Sequence, residues 1–250
     1  MGASAAAGII LALEDVVSGY GKLTVLNGTS FQAARGAITT IIGPNGAGKS
    51  MVFKTVFGLL AAQGGRIVFE GREITNLGPR ALLELGVCYV PQGRNIFPEL
   101  SVRHNLELGA TMAGAGIDVA ARIRAVMDRF PMLRQRAGAQ ASTLSGGQQK
   151  LLEIARGLLL EPKLMLIDEP SIGLSPRLVQ ETFGILRELR GKGVSILMVE
   201  QNAKRALEIS DFGVVLELGR ARMAGAASAI LADSRVGHLF LGGGLAADAT

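Results

Sequence analysis

A single glycine-rich loop, residues 43–50, constrains the fold of this chain more than any other feature of its sequence. The loop fits the pattern G-x-x-x-x-G-K-[ST], and its members are Gly43, Pro44, Asn45, Gly46, Ala47, Gly48, Lys49 and Ser50. A β-branched run at 37–42 precedes it, and helical spacing over 49–60 follows it. Glycines allow backbone N–H groups to turn inward around an anion, and a helix N-terminus adds a positive dipole end. The sequence therefore predicts a strand–loop–helix unit that binds phosphate.

Two side chains of this loop carry the expected chemistry. Lys49 is expected to reach the β- and γ-phosphates of a nucleotide, and Ser50 is expected to hold Mg²⁺. A chain with 34 glycines can produce a glycine-rich turn by chance. The full match, placed between a strand and a helix, favours the phosphate-binding interpretation.

A second candidate site follows an apolar run at 164–167. Such a run is typical of a strand buried on both faces, and ligands gather at the carboxyl ends of parallel strands. Asp168 and Glu169 stand at that end, before Pro170. We expect Asp168 to hold Mg²⁺ and Glu169 to orient and deprotonate an attacking water. Alone, two adjacent carboxylates are equally well explained by a solvated turn, but a nearby phosphate loop favours the catalytic interpretation.

Composition limits the possible partners and compartments. The net charge is +5, yet there is no block of lysine and arginine, no tryptophan and only 4% aromatic residues. A nucleic-acid partner is therefore not expected. The single cysteine, Cys88, cannot form an internal disulfide, which indicates a reducing, cytosolic setting. No run reaches the roughly 20 apolar residues that span a bilayer, and the apolar start at 5–13 lacks the basic flank of a signal peptide.

The wider pattern alternates between strands and helices, with a helical block inserted between them. Strand patterns cover 9–17, 25–33, 37–42, 66–70, 87–90, 164–167, 194–199 and 214–218. Helical patterns cover 49–60, 79–85, 101–112, 118–130, 146–160, 176–190 and 203–209. Alternation of this kind predicts an α/β fold whose mainly parallel sheet carries helices on both faces.

A third motif precedes the helix predicted at 146–160. Its residues, called the signature motif below, are Leu144, Ser145, Gly146, Gly147 and Gln148. A hydroxyl and two glycines at a helix start can bind an anion, although alone they indicate no more than a capped helix. The phosphate loop, Gln92, the signature motif and the two carboxylates occur in the order seen in ABC ATPases. The chain resembles that family over residues 11–241.

The resemblance implies a fold and a domain organisation. The expected fold is α/β, with a P-loop NTPase (RecA-like) core, a mainly parallel sheet, an N-terminal antiparallel β subdomain and an inserted helical subdomain. Residues 1–250 are expected to form a single ABC ATPase domain. Its expected parts are the core with the β subdomain (9–92 and 162–241), the helical signature subdomain (93–161) and a flexible tail (242–250).

The resemblance also implies roles for residues, with ATP and Mg²⁺ as the cofactors. Tyr20 falls where the family stacks an aromatic ring on adenine. Gln92 falls in the loop that senses Mg²⁺ and contacts the membrane partner. In the family, the signature motif of one chain closes over the ATP of another, so Ser145 and Gly147 would bind the γ-phosphate of the partner's ATP. The other motif members expected at that nucleotide are Gly146 and Gln148.

Three segments indicate a narrower resemblance, to the ATP-binding subunits of branched-chain amino-acid importers. These segments are 90–98, 169–176 and 199–202, and the ending near 235–243 is similar too. Urea and short-amide importers share parts of the pattern, so both substrate classes stay open. Most ABC ATPases carry a histidine where this chain has Gln201 and an aspartate where it has Ser175. Gln201 is expected to act in catalysis by contacting the γ-phosphate through its amide, without titrating.

The resemblance implies that this subunit works with other chains. The expected partners are a second ABC ATPase subunit, identical or a sister, two membrane permease subunits and, indirectly, a solute-binding protein. The expected location is the cytoplasm, peripheral on the inner face of the cell membrane. The permeases are expected to contact the Gln92 loop and residues 93–108, where Ile96 and Phe97 are the candidates for exposed apolar side chains. Ordinary packing under the loop is the competing explanation for both residues.

Two other classes of function stay open on the sequence. One is a non-transport ABC ATPase that acts in translation or DNA repair. Such relatives usually carry two cassettes, or long coiled-coil or basic insertions, and this sequence shows one cassette and neither insertion. The other is a purely structural ATP-binding module, which is disfavoured because Glu169 is present. Co-purification with membranes would distinguish a transporter subunit from a ribosome or DNA factor.

Overall fold

The computed structural model of the 250-residue chain describes residues 8–93, 95–112 and 117–240. Its strands are β1 (Ile9–Tyr20), β2 (Leu23–Ala34), β3 (Ile38–Ile42), β4 (Ala62–Phe69), β5 (Arg72–Glu73), β6 (Val87–Val90), β7 (Leu164–Asp168), β8 (Ser195–Val199), β9 (Phe212–Glu217) and β10 (Arg220–Ala226). Its helices are α1 (Lys49–Val56), α2 (Pro79–Leu85), α3 (Val102–Gly109), α4 (Val119–Arg129), α5 (Pro131–Gln135), α6 (Gly146–Leu158), α7 (Pro176–Gly191), α8 (Ala203–Glu208), α9 (Ala227–Ala232) and α10 (Ser234–Phe240). Arg94 and the predicted tail at 242–250 lie outside the described residues.

A six-stranded sheet forms the centre of the fold, with the strand order β10-β9-β3-β8-β7-β6. Strands β9, β3, β8, β7 and β6 run parallel to one another. Strand β10, at the edge of the sheet, pairs antiparallel with β9. Successive parallel strands are joined by helical crossovers, which is the arrangement that alternating strand and helix patterns require. The predicted mainly parallel sheet is confirmed.

Strand β7 shows how both faces of this sheet are buried. Its five residues are all buried. Leu164 and Leu166 join the hydrophobic core on one face, and Met165 and Ile167 join the core on the other face. This alternation follows from the two-residue period of side chains along a strand. An apolar run without polar alternation is therefore what a central parallel strand needs.

The two faces of the sheet are covered differently. Helices α3 to α7 supply the core that contains Met165 and Ile167. The opposite core is supplied by α1, by α2 and by a second, antiparallel sheet with the order β2-β1-β4-β5. The predicted antiparallel β subdomain is thus confirmed. Helices lie on both faces of the central sheet, as predicted, and on one face the antiparallel sheet packs beside α1 and α2.

Helix α1 ends earlier than its apolar spacing predicts. The pattern extends over 49–60, yet the helix stops at Val56. Gly58 adopts φ +70°, and a Cβ atom there would lie 2.0 Å from the backbone oxygen of Leu77. Only glycine tolerates both the left-handed conformation and this close approach, so the chain must leave the helix here.

The sequence pattern does not predict β10, α5, α9 or α10. Strand β10 reads RARMAGA, which has neither an apolar run nor a β-branched residue. It forms because a tight turn at Leu218 and Gly219, both at positive φ, folds it back onto β9. Pairing with a strand that already exists outweighs weak local propensity. The short helices α5 and α9 have only five and six residues, too few for periodicity to stand out.

Across the described ranges, no helix combines the length and the apolar character that crossing a bilayer requires.

Replacement of Gly219 by alanine tests the β9–β10 turn, which contacts β2 of the antiparallel sheet. Gly219 has φ +72°, and a Cβ atom would lie 1.8 Å from the backbone oxygen of Val25 in β2. Its carbonyl accepts hydrogen bonds from Asn27 and Thr29, and its N–H donates to Ala47 of the phosphate loop. We expect Gly219→Ala to lower the free energy of unfolding by about 3 kcal/mol, measured by urea denaturation.

The matched control is Gly225→Ala in the same hairpin. A Cβ atom at Gly225 would meet no heavy atom within 4 Å. The control should stay within about 0.5 kcal/mol of the unchanged chain. Equal stability of the two variants would show that the turn does not constrain the fold.

Candidate functional site

Four neighbouring parallel strands end at one edge of the central sheet. The phosphate loop follows β3, Glu200 and Gln201 follow β8, Asp168 ends β7, and Gln92 lies two residues beyond β6. The strands are in register at this edge, because Val199 pairs with both Ile41 and Asp168. Segments that are far apart in sequence therefore meet at the carboxyl ends of the strands, as expected for ligand sites in such sheets.

The phosphate loop is closed around the ammonium group of its own lysine. Lys49 Nζ donates hydrogen bonds to the carbonyl oxygens of Gly43 at 2.7 Å and Pro44 at 3.0 Å. Gly46 and Gly48 have φ +80° and +100°, and a Cβ atom on Gly43 would lie 2.1 Å from the Leu216 oxygen. The glycines of the motif are therefore needed for the shape of the loop.

Lys49 is a buried charge, with only 6% of its surface exposed. Burial lowers the pKa of its ammonium group, while the nearby carboxylates of Glu169 and Asp168 oppose that shift. Buried cations are tolerated when carbonyls and opposite charges surround them. The loop thus presents a partly desolvated positive charge beside the first-turn N–H groups of α1, which is a strong site for phosphate.

Asp168 is held by hydroxyl groups on both of its carboxylate oxygens. Ser50 Oγ donates to Oδ1 and the Tyr89 hydroxyl donates to Oδ2, each at 3.3 Å. The carboxylate is 1% exposed, and burial raises its pKa, although the two hydrogen bonds oppose the shift. A serine hydroxyl beside an aspartate oxygen is the kind of hard oxygen pair that Mg²⁺ uses while keeping several waters. The residues present fit this metal.

Glu169 takes a conformation that is unusual for glutamate. Its φ is +46°, and its backbone N–H donates to the carbonyl of Val199 at 2.9 Å. Its side chain accepts a hydrogen bond from Gln92 Nε2 at 2.8 Å. Burial, and secondarily the charge of Asp168, raise the pKa of this carboxyl group. Left-handed non-glycine residues concentrate at functional sites, and a carboxylate with a raised pKa is suited to accept a proton.

Two site residues were not singled out as functional from the sequence. Tyr89 contacts Asp168 as described above, and burial raises the pKa of its phenol. Glu200 is 1% exposed, and its carboxylate accepts hydrogen bonds from the backbone N–H groups of Ser171 and Gln201 at 2.9 and 3.0 Å. Glu200 thereby ties the segment after Glu169 to the end of β8. A polar side chain within or directly after a largely apolar strand was the available signal in both cases.

The side chain of Gln201 is exposed, and among the described residues it makes no hydrogen bond. Only its backbone is fixed, through Glu200. The predicted contact between Gln201 and a γ-phosphate therefore stays a prediction.

Tyr20 ends β1 beside the helix that follows the phosphate loop. It is 51% exposed, and its hydroxyl accepts a hydrogen bond from Lys54 Nζ at 3.3 Å. The same ammonium lies 6.0 Å from the centre of the ring. The predicted stacking residue thus presents an accessible ring close to α1.

The signature motif begins α6 with a reciprocal cap. Ser145 Oγ accepts from the Gln148 backbone N–H at 3.4 Å, and the Gln148 side chain accepts from the Ser145 N–H at 3.0 Å. The first-turn N–H groups of Gly146 and Gly147 have no intrahelical partner. A Cβ atom on Gly147 would lie 2.8 Å from Leu178, so this glycine also lets α6 pack closely against α7.

The structure brings together every predicted site segment except the signature motif. Within the described ranges, no hydrogen bond or ion pair joins residues 144–148 to the phosphate loop or to the two carboxylates. In one chain, the signature motif and the phosphate loop are therefore two separate elements.

Comparison with known proteins establishes the class of this chain. The profile of the ABC transporter family matches residues 26–172, and the chain belongs to this family as an ATP-binding cassette. One relative is the high-affinity branched-chain amino acid transport ATP-binding protein BraG of Pseudomonas aeruginosa. It is 39% identical over 94% of this chain and 100% of its own length. The probable branched-chain amino acid transport ATP-binding protein LivF of Archaeoglobus fulgidus is 37% identical over 90% of this chain and 95% of its own.

Solved structures show the same fold. A nucleotide-free ATP-binding cassette from an ABC transporter matches with a TM-score of 0.85 and 30% identity, over 93% of this chain and 99% of that one. The ADP conformation of the cassette MJ1267 matches with the same TM-score and identity, over 94% of this chain and 100% of that one. The predicted ABC ATPase fold is confirmed.

Replacement of Lys49 by methionine tests the phosphate loop directly. The variant keeps a long side chain but removes the ammonium that faces both the loop carbonyls and the bound phosphates. A hydrogen bond to a charged group contributes about 1.5–3 kcal/mol, so we expect ADP affinity to fall about 30-fold, measured by calorimetric titration. Lys192→Met, at an exposed residue after α7, is the matched control and should bind ADP normally. Unchanged affinity in Lys49→Met would show that the loop binds nucleotide without this charge.

Proposed function

We propose that this chain is the ATP-hydrolysing subunit that energises uptake of branched-chain amino acids through an ABC importer. The observation that carries the proposal is the meeting of Lys49, Asp168, Glu169 and Gln92 at one sheet edge in a chain of this family. The substrate class is supported by BraG and LivF, whose names give branched-chain amino acid transport and which cover the chain almost completely.

The geometry supports a division of labour for hydrolysis. Lys49 and the phosphate loop bind and orient the phosphates of ATP. Ser50 and Asp168 would hold Mg²⁺, with Gln92 nearby, and the ion when bound would neutralise charge on the phosphate oxygens. Glu169 orients the attacking water and accepts its proton. The Gln92 side chain fixes the position of Glu169, and Gln201 contacts the γ-phosphate.

A second cassette would complete the site. The capped start of α6 offers a serine hydroxyl and unpaired N–H groups, yet these lie apart from the phosphate loop of the same chain. Two cassettes arranged face to face would place Ser145 and Gly147 of each over the ATP of the other. The partner is either a second copy of this chain or a sister subunit.

An apolar surface beside the Gln92 loop fits the permease subunits. Phe97 is 45% exposed and Leu108 is 40% exposed. A cavity of about 230 Å³ lies between the Gln92 loop, α3 and α6, with Leu83 and Leu160 among its walls. The expectation for Ile96 is wrong, because it is half-buried and packs against the helical core. Contact with permeases would hold this subunit on the cytoplasmic face of the membrane, with a solute-binding protein acting on the far side.

Replacement of Glu169 by glutamine tests the catalytic assignment. The amide keeps the shape of the side chain but cannot accept the proton of water, so we expect kcat to fall by about 10²–10⁴-fold with ATP binding retained. The measurement is steady-state phosphate release, and Glu188→Gln on the exposed face of α7 is the control. Turnover equal to that of the unchanged chain would remove Glu169 from the mechanism.

The same variant tests the two-chain arrangement. Because hydrolysis is blocked, Glu169→Gln should form a stable pair of cassettes in ATP and Mg²⁺, measured by light scattering. A chain that stays single under these conditions, alone and with its sister subunit, would contradict the proposed assembly.

Transport assays test the substrate class. With its permeases and solute-binding protein in proteoliposomes, the unchanged chain should drive ATP-dependent uptake of labelled leucine, isoleucine and valine, and Glu169→Gln should not. Uptake of urea or short amides without uptake of leucine would favour the alternative importer class. Fractionation with ribosomes or DNA in place of membranes would favour a non-transport ABC ATPase.

A further inference from the structure

Helix α6 contains a buried ion pair that the nucleotide chemistry does not use. Lys150 Nζ lies 2.5 Å from Glu153 Oε2, and the two side chains are only 6% and 3% exposed. The eleven other ion pairs among the described residues each include a side chain at least 45% exposed. Buried ion pairs do not stabilise a fold by themselves, because desolvation offsets their attraction. Contacts with other groups must therefore account for the buried position of the Lys150–Glu153 pair.

The remaining hydrogen bonds of the pair go to the loop that follows β6. Lys150 Nζ donates to the carbonyl of Gly93 at 3.2 Å. Glu153 Oε1 accepts from the backbone N–H of Asn95 at 2.6 Å. One turn further along, Arg156 Nη1 donates to the carbonyl of Asn95 at 2.5 Å. Three side chains on one face of α6 therefore hold the backbone of the loop at two points.

The loop held in this way links the active-site carboxylate of Glu169, through Gln92, to the exposed ring of Phe97. On one side of the held backbone, Gln92 donates to the carboxylate of Glu169 at 2.8 Å. On the other side, the exposed ring of Phe97 lies 5.1 Å from the guanidinium carbon of Arg156. Asn105, which is fully buried, bonds both the N–H and the carbonyl of Phe97 at 2.8 and 2.9 Å. The backbone of Asn95 is therefore held by α6, and that of Phe97 by α3.

The other end of α6 carries the signature motif. Ser145 caps the helix five residues before Lys150. At 1.5 Å per residue this distance is about 7–8 Å along a continuous helix, which transmits displacement as a rigid element. The same helix thus touches the loop of its own active site and presents the residues proposed to cover a partner's ATP.

We propose that Lys150, Glu153 and Arg156 are positioning residues that fasten the Gln92 loop to the signature helix. A displacement at the Phe97 surface then moves Gln92 and Ser145 together, because the loop does not deform independently of α6. The link to a permease at Phe97 and the roles of Glu169 and Ser145 at ATP rest on the proposed function, whereas the contacts between the loop and α6 do not. The fastening itself concerns ATP hydrolysis by this chain.

The test replaces the pair by apolar residues of similar size, in the double variant Lys150→Met/Glu153→Leu. Apolar replacement of a buried pair usually preserves folding. The variant should therefore lose only the hydrogen bonds of Lys150 and Glu153 to the backbone of Gly93 and Asn95. Hydrogen exchange of the amides at 95–100 should accelerate at least about tenfold. With the loop loose, kcat for ATP should fall about tenfold while KM stays within about twofold, because Lys49 and the phosphate loop are unchanged.

Two controls separate fastening from a general effect on folding. Arg177→Met/Glu181→Leu removes an exposed ion pair of 3.0 Å on α7 and should leave exchange and kcat unchanged. Lys150→Arg keeps the cation and should restore at least half of the unchanged kcat. If the apolar variant does not fold, Lys150→Met/Glu153→Gln is measured instead, since it keeps an acceptor for the Asn95 N–H and should still lower kcat at least about threefold.

The outcomes distinguish this proposal from the proposed function. A folded apolar or glutamine variant with unchanged exchange at 95–100 and unchanged kcat overturns the fastening. A fall in kcat with equal exchange and a large rise in KM also overturns it, because nucleotide binding would then be the affected step. Failure of the unchanged chain to support leucine uptake would contradict only the transport proposal, since exchange and ATP turnover are measured without permeases.

Discussion

The structure depends on how one buried ammonium group, that of Lys49, is compensated. The carbonyls of the phosphate loop accept its hydrogen bonds, and Asp168 and Glu169 supply opposite charge from the end of β7, which is separated from β3 by β8. The loop carbonyls are local to Lys49, but no local segment of chain could bring the two carboxylates to it. The parallel sheet brings them together because the carboxyl ends of β3, β8, β7 and β6 lie side by side.

At the same sheet edge, neighbouring groups compensate for the burial of Asp168 and for the unfavourable backbone conformation of Glu169. Burial raises the pKa of Asp168, and two hydroxyl groups oppose that shift. Glu169 stands in a left-handed conformation that costs about 1 kcal/mol or more, and it is fixed by a backbone bond to β8 and by Gln92. The site is therefore prepared by its surroundings before any nucleotide arrives. The segments that follow four strands must be held together for that preparation. The contacts that α6 and Glu200 make with these segments are therefore important.

Much of the fold could be predicted from local patterns. The apolar run at 164–167 required a central buried strand, and β7 has both faces covered. Helix α2 and strand β6 occupy the predicted positions, because a proline start and a short β-branched run mark them locally. The early end of α1 at Gly58 and the formation of β10 were not predictable in this way. Each depends on a backbone from a distant part of the sequence, Leu77 in one case and β9 in the other.

The sequence by itself determined which side chains are available to the site, since the glycines, Lys49, Ser50, Asp168 and Glu169 form contiguous motifs whose residue types suit phosphate and metal binding. Tertiary structure alone decided which groups surround them. Tyr89 reaches Asp168, Glu200 joins two loops, Ile96 is packed while Phe97 is exposed, and Lys150 with Glu153 holds the backbone of Gly93 and Asn95. The physical reason is separation along the chain. Motif chemistry acts within a few residues, whereas burial, desolvation and hydrogen bonds between elements exist only once the strands and helices have packed.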